Sequence, residues 1–132
     1  MKQIYLDLVE DLQELLDEFY LLAEKIAPIF LFYLNDIGIK YVNTYYQMKY
    51  WLEYIKDHIK YDDINIEDYN HLLNGLKNVK DSWVTVNIFL VAAFNNGFYH
   101  PDQWCFEKKL YKLIQKFEIL IERFEKYKIQ QD

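Results

Sequence analysis

An all-α fold, an antiparallel up-down four-helix bundle of long helices, is what this 132-residue sequence predicts. Three observations carry that prediction. Apolar residues recur at alternating spacings of three and four in four separate stretches, the spacing of a helix face that packs on other helices. Only three glycines and two prolines punctuate the chain, too few for the many turns of a sheet fold. The connections between stretches are short, which forces consecutive helices to run antiparallel. With 52% hydrophobic residues the chain has ample material for one core, and it reads as a single domain over residues 1–132.

The first stripe is Tyr5, Leu8, Leu12, Leu15, Phe19, Leu22, Ile26 and Ile29. Pro28 falls inside it and is expected to kink or split that helix, because proline lacks an N–H and its ring crowds the preceding turn. Asn35, Asp36 and Gly38 mark the break before the second stripe, Tyr41, Tyr45, Met48, Leu52, Ile55 and Ile59. Asp62, Asp63 and Asn65 follow, with Asn65 or Asp63 the expected N-cap of the next helix. The third stripe is Tyr69, Leu72, Leu76, Val79, Trp83, Val86, Leu90 and Ala93. Gly75 and the Lys80-Asp81-Ser82 step are points at which that helix could divide. Asn95, Asn96 and Gly97 close it, and Pro101 opens the fourth helix near its first turn, where a missing N–H costs little. The fourth stripe is Phe106, Leu110, Leu113, Phe117, Leu120, Phe124 and Tyr127.

Charge is distributed unevenly over this frame. Residues 1–36 hold eight acids and two bases, which accounts for the whole net charge of −6. Asp7, Glu10, Asp11, Glu14, Asp17 and Glu18 recur at helical spacing opposite the first apolar stripe, and so read as one negative stripe. Like charges at these spacings destabilise an isolated helix by about a few tenths of a kcal/mol per pair. A helix N-terminus favours early acids, which accounts for Asp7 and Glu10 but not for Asp17 or Glu18. The partner this implies is another protein with a basic surface. Direct binding of nucleic acid is not expected of an acidic chain whose only arginine is Arg123, because arginine's planar fork is the usual reader of phosphates and base edges.

Aromatic residues, at 19% of the chain, exceed what a core of this size needs. Tyr46, Tyr50 and Tyr54 lie in an i, i+4 series beside the core stripe of the second helix, with Trp51 off that series. Tyrosine and tryptophan dominate binding hot spots, so these four form a second candidate surface for a partner; gap-filling within a wide core is the competing account. An up-down topology also gathers the end of the first helix, the end of the third and the start of the fourth at one pole. That pole is rich in Ile29, Phe30, Phe32, Phe94 and Trp104. Covered within one monomer it is core; left open it is a surface for a homodimer.

Equipment for catalysis or for a cofactor is not evident. The chain lacks the Glu-x-x-His pairs of a di-metal bundle; Asp68, His71 and His58 are the nearest substitute, and no metal or other cofactor is expected. His100, Asp102 and Cys105 could be drawn as a nucleophile constellation, but Cys105 lies between Trp104 and Phe106 and is expected to be buried and inert. A glycine-rich phosphate loop, a Gly-x-Ser-x-Gly elbow and a Cys-x-x-Cys pair are all missing. The lone cysteine fits a reducing compartment, and the opening segment turns acidic without a basic n-region, so a cytoplasmic location is expected. The longest apolar run, Ile26–Leu34, spans only about 13 Å as a helix, so no membrane span is expected.

The sequence therefore points to a non-catalytic protein-interaction module. Its sharpest form is an acidic inhibitor that docks on a partner's nucleic-acid-binding surface, and the Lys, Ile, Asn and Tyr bias suits a phage or mobile-element gene. The alternatives are a structural or oligomerising subunit of a larger complex and a ligand- or metal-binding helical bundle.

Overall fold

A computed structural model of the chain describes the backbone of residues 2–32, 35–61, 65–95 and 103–131, and the side chains of residues 3–25, 36–61, 65–93, 95 and 105–127. Four helices account for this backbone: α1 (Lys2–Phe32), α2 (Asn35–Tyr61), α3 (Ile66–Asn95) and α4 (Gln103–Gln131). α1 packs on α2, α2 on α3, α3 on α4, and α4 back on α1, closing a ring about one core. Among the described residues no helix is long and apolar enough to cross a membrane.

Ion pairs fix the direction and register of α1 against α4. Asp11 meets Arg123 at 3.4 Å, and Glu18 meets Lys116 at 3.3 Å. One pair lies two turns above the other on both helices, in opposite chain directions, so the two helices are antiparallel. On the far side of the ring, His58 of α2 reaches Asp68 of α3, while Trp51 reaches His71. The chain order again reverses, and α2 and α3 are antiparallel as well.

The expected breaks within helices do not occur. α1 is helical through Pro28 to Phe32, so the proline does not split it, and α3 runs unbroken through Gly75 and the 80–82 step. Packing outweighs local propensity in helices of this length, since one weak residue among about thirty is carried by its neighbours' buried face. The start of α3 is set as expected by Asn65. Its Oδ1 accepts the Asp68 N–H at 2.9 Å, and its own carbonyl accepts the Tyr69 N–H at 3.0 Å, the geometry of an N-cap. Glu67 and Asp68 in the first turn complement the helix dipole. Asn65→Ala is expected to lower stability by about 1 kcal/mol and Asn65→Gly by only a few tenths, read as shifts of the urea midpoint. Equal losses from both would show that the side chain is not the cap.

Every described side chain of the four stripes is buried or half-buried, and Leu16, Leu73, Ile114 and Ile121 widen the apolar faces beyond the strict heptad seam. Trp83 stands at the centre. Its indole stacks on Phe19 of α1 at 4.1 Å and 4°, and meets the edge of Tyr41 of α2 at 4.8 Å. Tyr41 in turn lies 6.5 Å from Phe106 of α4, so this aromatic cluster draws on all four helices. Two phenols tie helices together from inside. Tyr41 donates to the Phe19 carbonyl at 2.6 Å, and Tyr69 donates to the Phe124 carbonyl. Burial pushes the Tyr41 phenol well above its ordinary pKa, so it remains a donor throughout the usual pH range. The Tyr5 hydroxyl, Trp83 Nε1 and Asn87 Oδ1 are buried with no hydrogen-bond partner among the described residues.

Candidate functional site

α2 carries two apolar faces back to back. One is the core stripe of Tyr41, Met48, Leu52 and Ile55. The other is Ile39, Val42, Tyr46 and Tyr50, spaced by three and four and set half a turn away from the first, so it points directly outward. These four side chains are 52%, 47%, 59% and 60% exposed. A surface helix in a bundle normally turns a charged or polar face to water. An unbroken outward row of isoleucine, valine and two tyrosines is the departure from that rule that marks a contact surface.

The row is widened by α1. Tyr20, half exposed, approaches Tyr45 at 6.0 Å, and Tyr45 meets Tyr46 at 5.6 Å. A hydrogen bond to the Glu24 carboxylate, reinforced by its negative charge, raises the Tyr20 phenol above its ordinary pKa. Partial burial raises Tyr45, with Asp17 adding to the effect. The acids bordering this aromatic surface are therefore Asp17 and Glu24, with Glu10 two turns beyond Asp17 on the exposed face of α1.

That placement divides the acidic stripe. Asp7, Asp11, Glu14 and Glu18 lie instead along the seam with α4. There Asp11 and Glu18 are answered by Arg123 and Lys116. The six acids of α1 thus serve two different faces rather than one. Helical spacing shows that they are all opposite the core; it does not show which neighbour each one borders.

The four aromatic residues singled out on α2 also divide. Tyr46 and Tyr50 are exposed, whereas Trp51 and Tyr54 are half-buried against α3. Trp51 lies over Gly75, where an added Cβ would fall 2.1 Å from Cζ2 of the indole. Tyr54 donates to Asp68 at 3.4 Å, and its ring lies 4.1 Å from that of His58, tilted by 33°. His58 places Nδ1 2.9 Å from the Tyr54 carbonyl and Nε2 3.5 Å from Asp68. His71 touches the rings of Trp51 and Tyr54. These groups brace the end of α2 against the start of α3. Among the described residues no three His, Cys, Asp or Glu side chains come together as a metal site.

Cys105 is exposed, contrary to the expectation drawn from its aromatic neighbours. It is one position before Phe106, and a single step on a helix turns a side chain well away from the buried face. His100 and Asp102 lie outside the described residues, as do the side chains of Ile29, Phe30, Phe32, Phe94 and Trp104. Ile39 and Val42 were missed from sequence, although their spacing with Tyr46 and Tyr50 was a readable signal. No protein family, curated protein or solved structure matches this chain.

Proposed function

We propose that this chain is a non-catalytic protein-interaction module that engages a partner through the outer face of α2 and the adjoining acidic edge of α1. The observation that carries the reading is the exposed row Ile39, Val42, Tyr46 and Tyr50, placed opposite the core face of the same helix. Two amphipathic tyrosines at its C-terminal end supply the large, rigid contact area that binding hot spots use. Glu10, Asp17 and Glu24 flank them and select a partner whose apolar groove has a basic rim. The sharper form of this proposal is an inhibitor that occupies a basic surface otherwise used for nucleic acid.

Tagged protein from native cells tests both levels. The double variant Tyr46→Ser/Tyr50→Ser is expected to lose a partner captured by the unaltered chain, at a cost of about 2 kcal/mol or more in affinity. The neutralised variant Glu10→Gln/Asp17→Asn is expected to bind about tenfold more weakly and with less dependence on salt. Capture unchanged in the tyrosine variant would refute the α2 face as the contact. Competition by added nucleic acid distinguishes the inhibitor form from simple docking.

A further inference from the structure

Charged residues recur every seven positions, two turns at a time, on both helices of the α1/α4 seam. Asp11 of α1 meets Arg123 of α4 at 3.4 Å, and one step further Glu18 meets Lys116 at 3.3 Å. The next step of seven brings Lys25 of α1 level with Lys109 of α4. The third rung of the ladder is therefore a pair of cations. Both line one open cavity of about 370 Å³ in the trough between the helices, joined by Lys112 one turn nearer the Lys116 level. Among the described residues Glu18 is the one carboxylate in that lining, and Lys116 already engages it. Lys25, Lys109 and Lys112 make no ion pair among the described residues.

Three unanswered cations gathered at one end of a seam repel one another, and they do so in a chain whose net charge is −6. Beneath them lies an apolar floor. Leu22 and Leu113 are buried, and Leu21, 57% exposed, stands at the edge. Cations around an apolar floor complement an anion that carries an apolar body, and the cavity falls within the about 300–1,000 Å³ of small-molecule sites. Three cations match a phosphate monoester, which carries about −1.5 to −2 charges at pH 7, more closely than a carboxylate. Lysine serves such groups as a point charge. Charge also selects the size of the ligand. A flat anionic surface laid on this seam would meet Glu14, Asp11 and Asp7 further along it, whereas a single small anion meets the lysines alone.

We infer that the lysine end of the α1/α4 trough is a binding site for a small amphipathic phosphate, a single-chain phosphate monoester. Its head lies among Lys25, Lys109 and Lys112, and its apolar chain lies on Leu21, Leu22 and Leu113. The ligand supplies at the third rung the negative charge that α1 itself supplies at the other two. Binding is therefore sensitive to salt, and it stabilises the folded chain by relieving the repulsion between the lysines. The site lies on a different face from the α2 contact and is independent of it.

Calorimetric titration of the full chain with octyl phosphate at about 50 mM NaCl tests the proposal. Saturable one-to-one binding is expected, with a Kd below about 1 mM. Inorganic phosphate lacks the chain and octyl trimethylammonium lacks the negative charge, so each is expected to bind at least about tenfold more weakly. Lys25→Gln/Lys109→Gln is expected to weaken octyl phosphate at least about tenfold, whereas Lys49→Gln/Lys60→Gln, which removes the same charge from α2, leaves it unchanged. Lys25→Glu makes the third rung an ion pair like the other two, so it should raise the urea midpoint of the free chain while abolishing binding. Circular dichroism checks that the variants are folded. Absence of saturable binding, equal affinity for inorganic phosphate, retention of binding by Lys25→Gln/Lys109→Gln or its loss in the α2 control would overturn the proposal. A midpoint that failed to rise in Lys25→Glu would show that Lys25 and Lys109 do not oppose each other, and would count equally against it. Phosphatidylserine vesicles are expected to leave the chain in solution. Sedimentation with them in place of octyl phosphate binding would assign the lysines to a membrane surface and overturn the small ligand.

Discussion

Trp83→Ala is expected to destabilise the bundle by about 3–5 kcal/mol, the largest loss from any single substitution considered for this chain. The indole is fully buried and makes aromatic contact with Phe19 and Tyr41, so its removal opens a cavity at the centre rather than at an edge. The packed helices form a ring, and α1 and α3 are joined across it through the Phe19–Trp83 stack. Tyr41 would lose its ring contact with the indole while retaining its bond to the Phe19 carbonyl. Trp83→Phe separates the two contributions of this side chain. It keeps an aromatic ring on Phe19 and removes the Nε1–H, a buried donor without a partner among the described residues. An unsatisfied buried donor costs about 1–3 kcal/mol, which offsets much of the lost ring area. The phenylalanine variant is therefore expected to lose about 1 kcal/mol or less. Urea unfolding of both proteins provides the measurement, with midpoints compared at constant m-value. Equal losses from Trp83→Phe and Trp83→Ala would show that the indole's full shape, and not the stack alone, holds the centre.

The sequence showed which residues turn inward but not which helix each outward residue meets. Leu8, Leu12, Leu72 and Phe117 were placed in the core because apolar spacing of three and four admits one buried face per helix. The same arithmetic put Asp7, Glu10, Asp11, Glu14, Asp17 and Glu18 on one outer face, and there its reach ended. Whether an acid borders α2 or α4 depends on bundle handedness and helix register, which are properties of pairs of helices. Asp17 lies near Tyr45, and Glu18 meets Lys116, although the two acids are adjacent in the chain. Nothing in the sequence sets Lys109, Lys112 and Lys116 apart from the other lysines of α4, for the same reason. Only the structure places them beside Lys25 of α1 along one trough. Ile39 and Val42 were a different case, since their spacing was visible but the stripe half a turn away had already accounted for α2.

Gly75→Ala is expected to destabilise the protein by about 1–3 kcal/mol, although alanine in place of glycine favours an exposed helix interior by about 1 kcal/mol. Gly75 looked like a break in α3, but it lies in an unbroken helix and is buried. Its importance is the space above it. A Cβ there would lie 2.1 Å from Cζ2, 2.2 Å from Cε2 and 2.6 Å from Cη2 of Trp51. The indole cannot yield by rotating a flexible tip, because it is also held edge-on by Tyr50 and Tyr54 and touches His71. Displacing it would disturb the brace that Tyr54, His58 and Asp68 form between α2 and α3. A double-mutant cycle isolates this steric term from helix propensity. In a Trp51→Ala background the obstruction is gone, and Gly75→Ala should become stabilising by about 0.5–1 kcal/mol. The expected signature is a reversal of sign, which helix propensity by itself does not produce. If Gly75→Ala destabilised both backgrounds equally, the close approach of the indole would not be the reason glycine occupies this position. If it stabilised both, the α2/α3 interface would have to be able to separate at that point without loss, and Trp51 would then be available as a binding residue on the outer surface of α2.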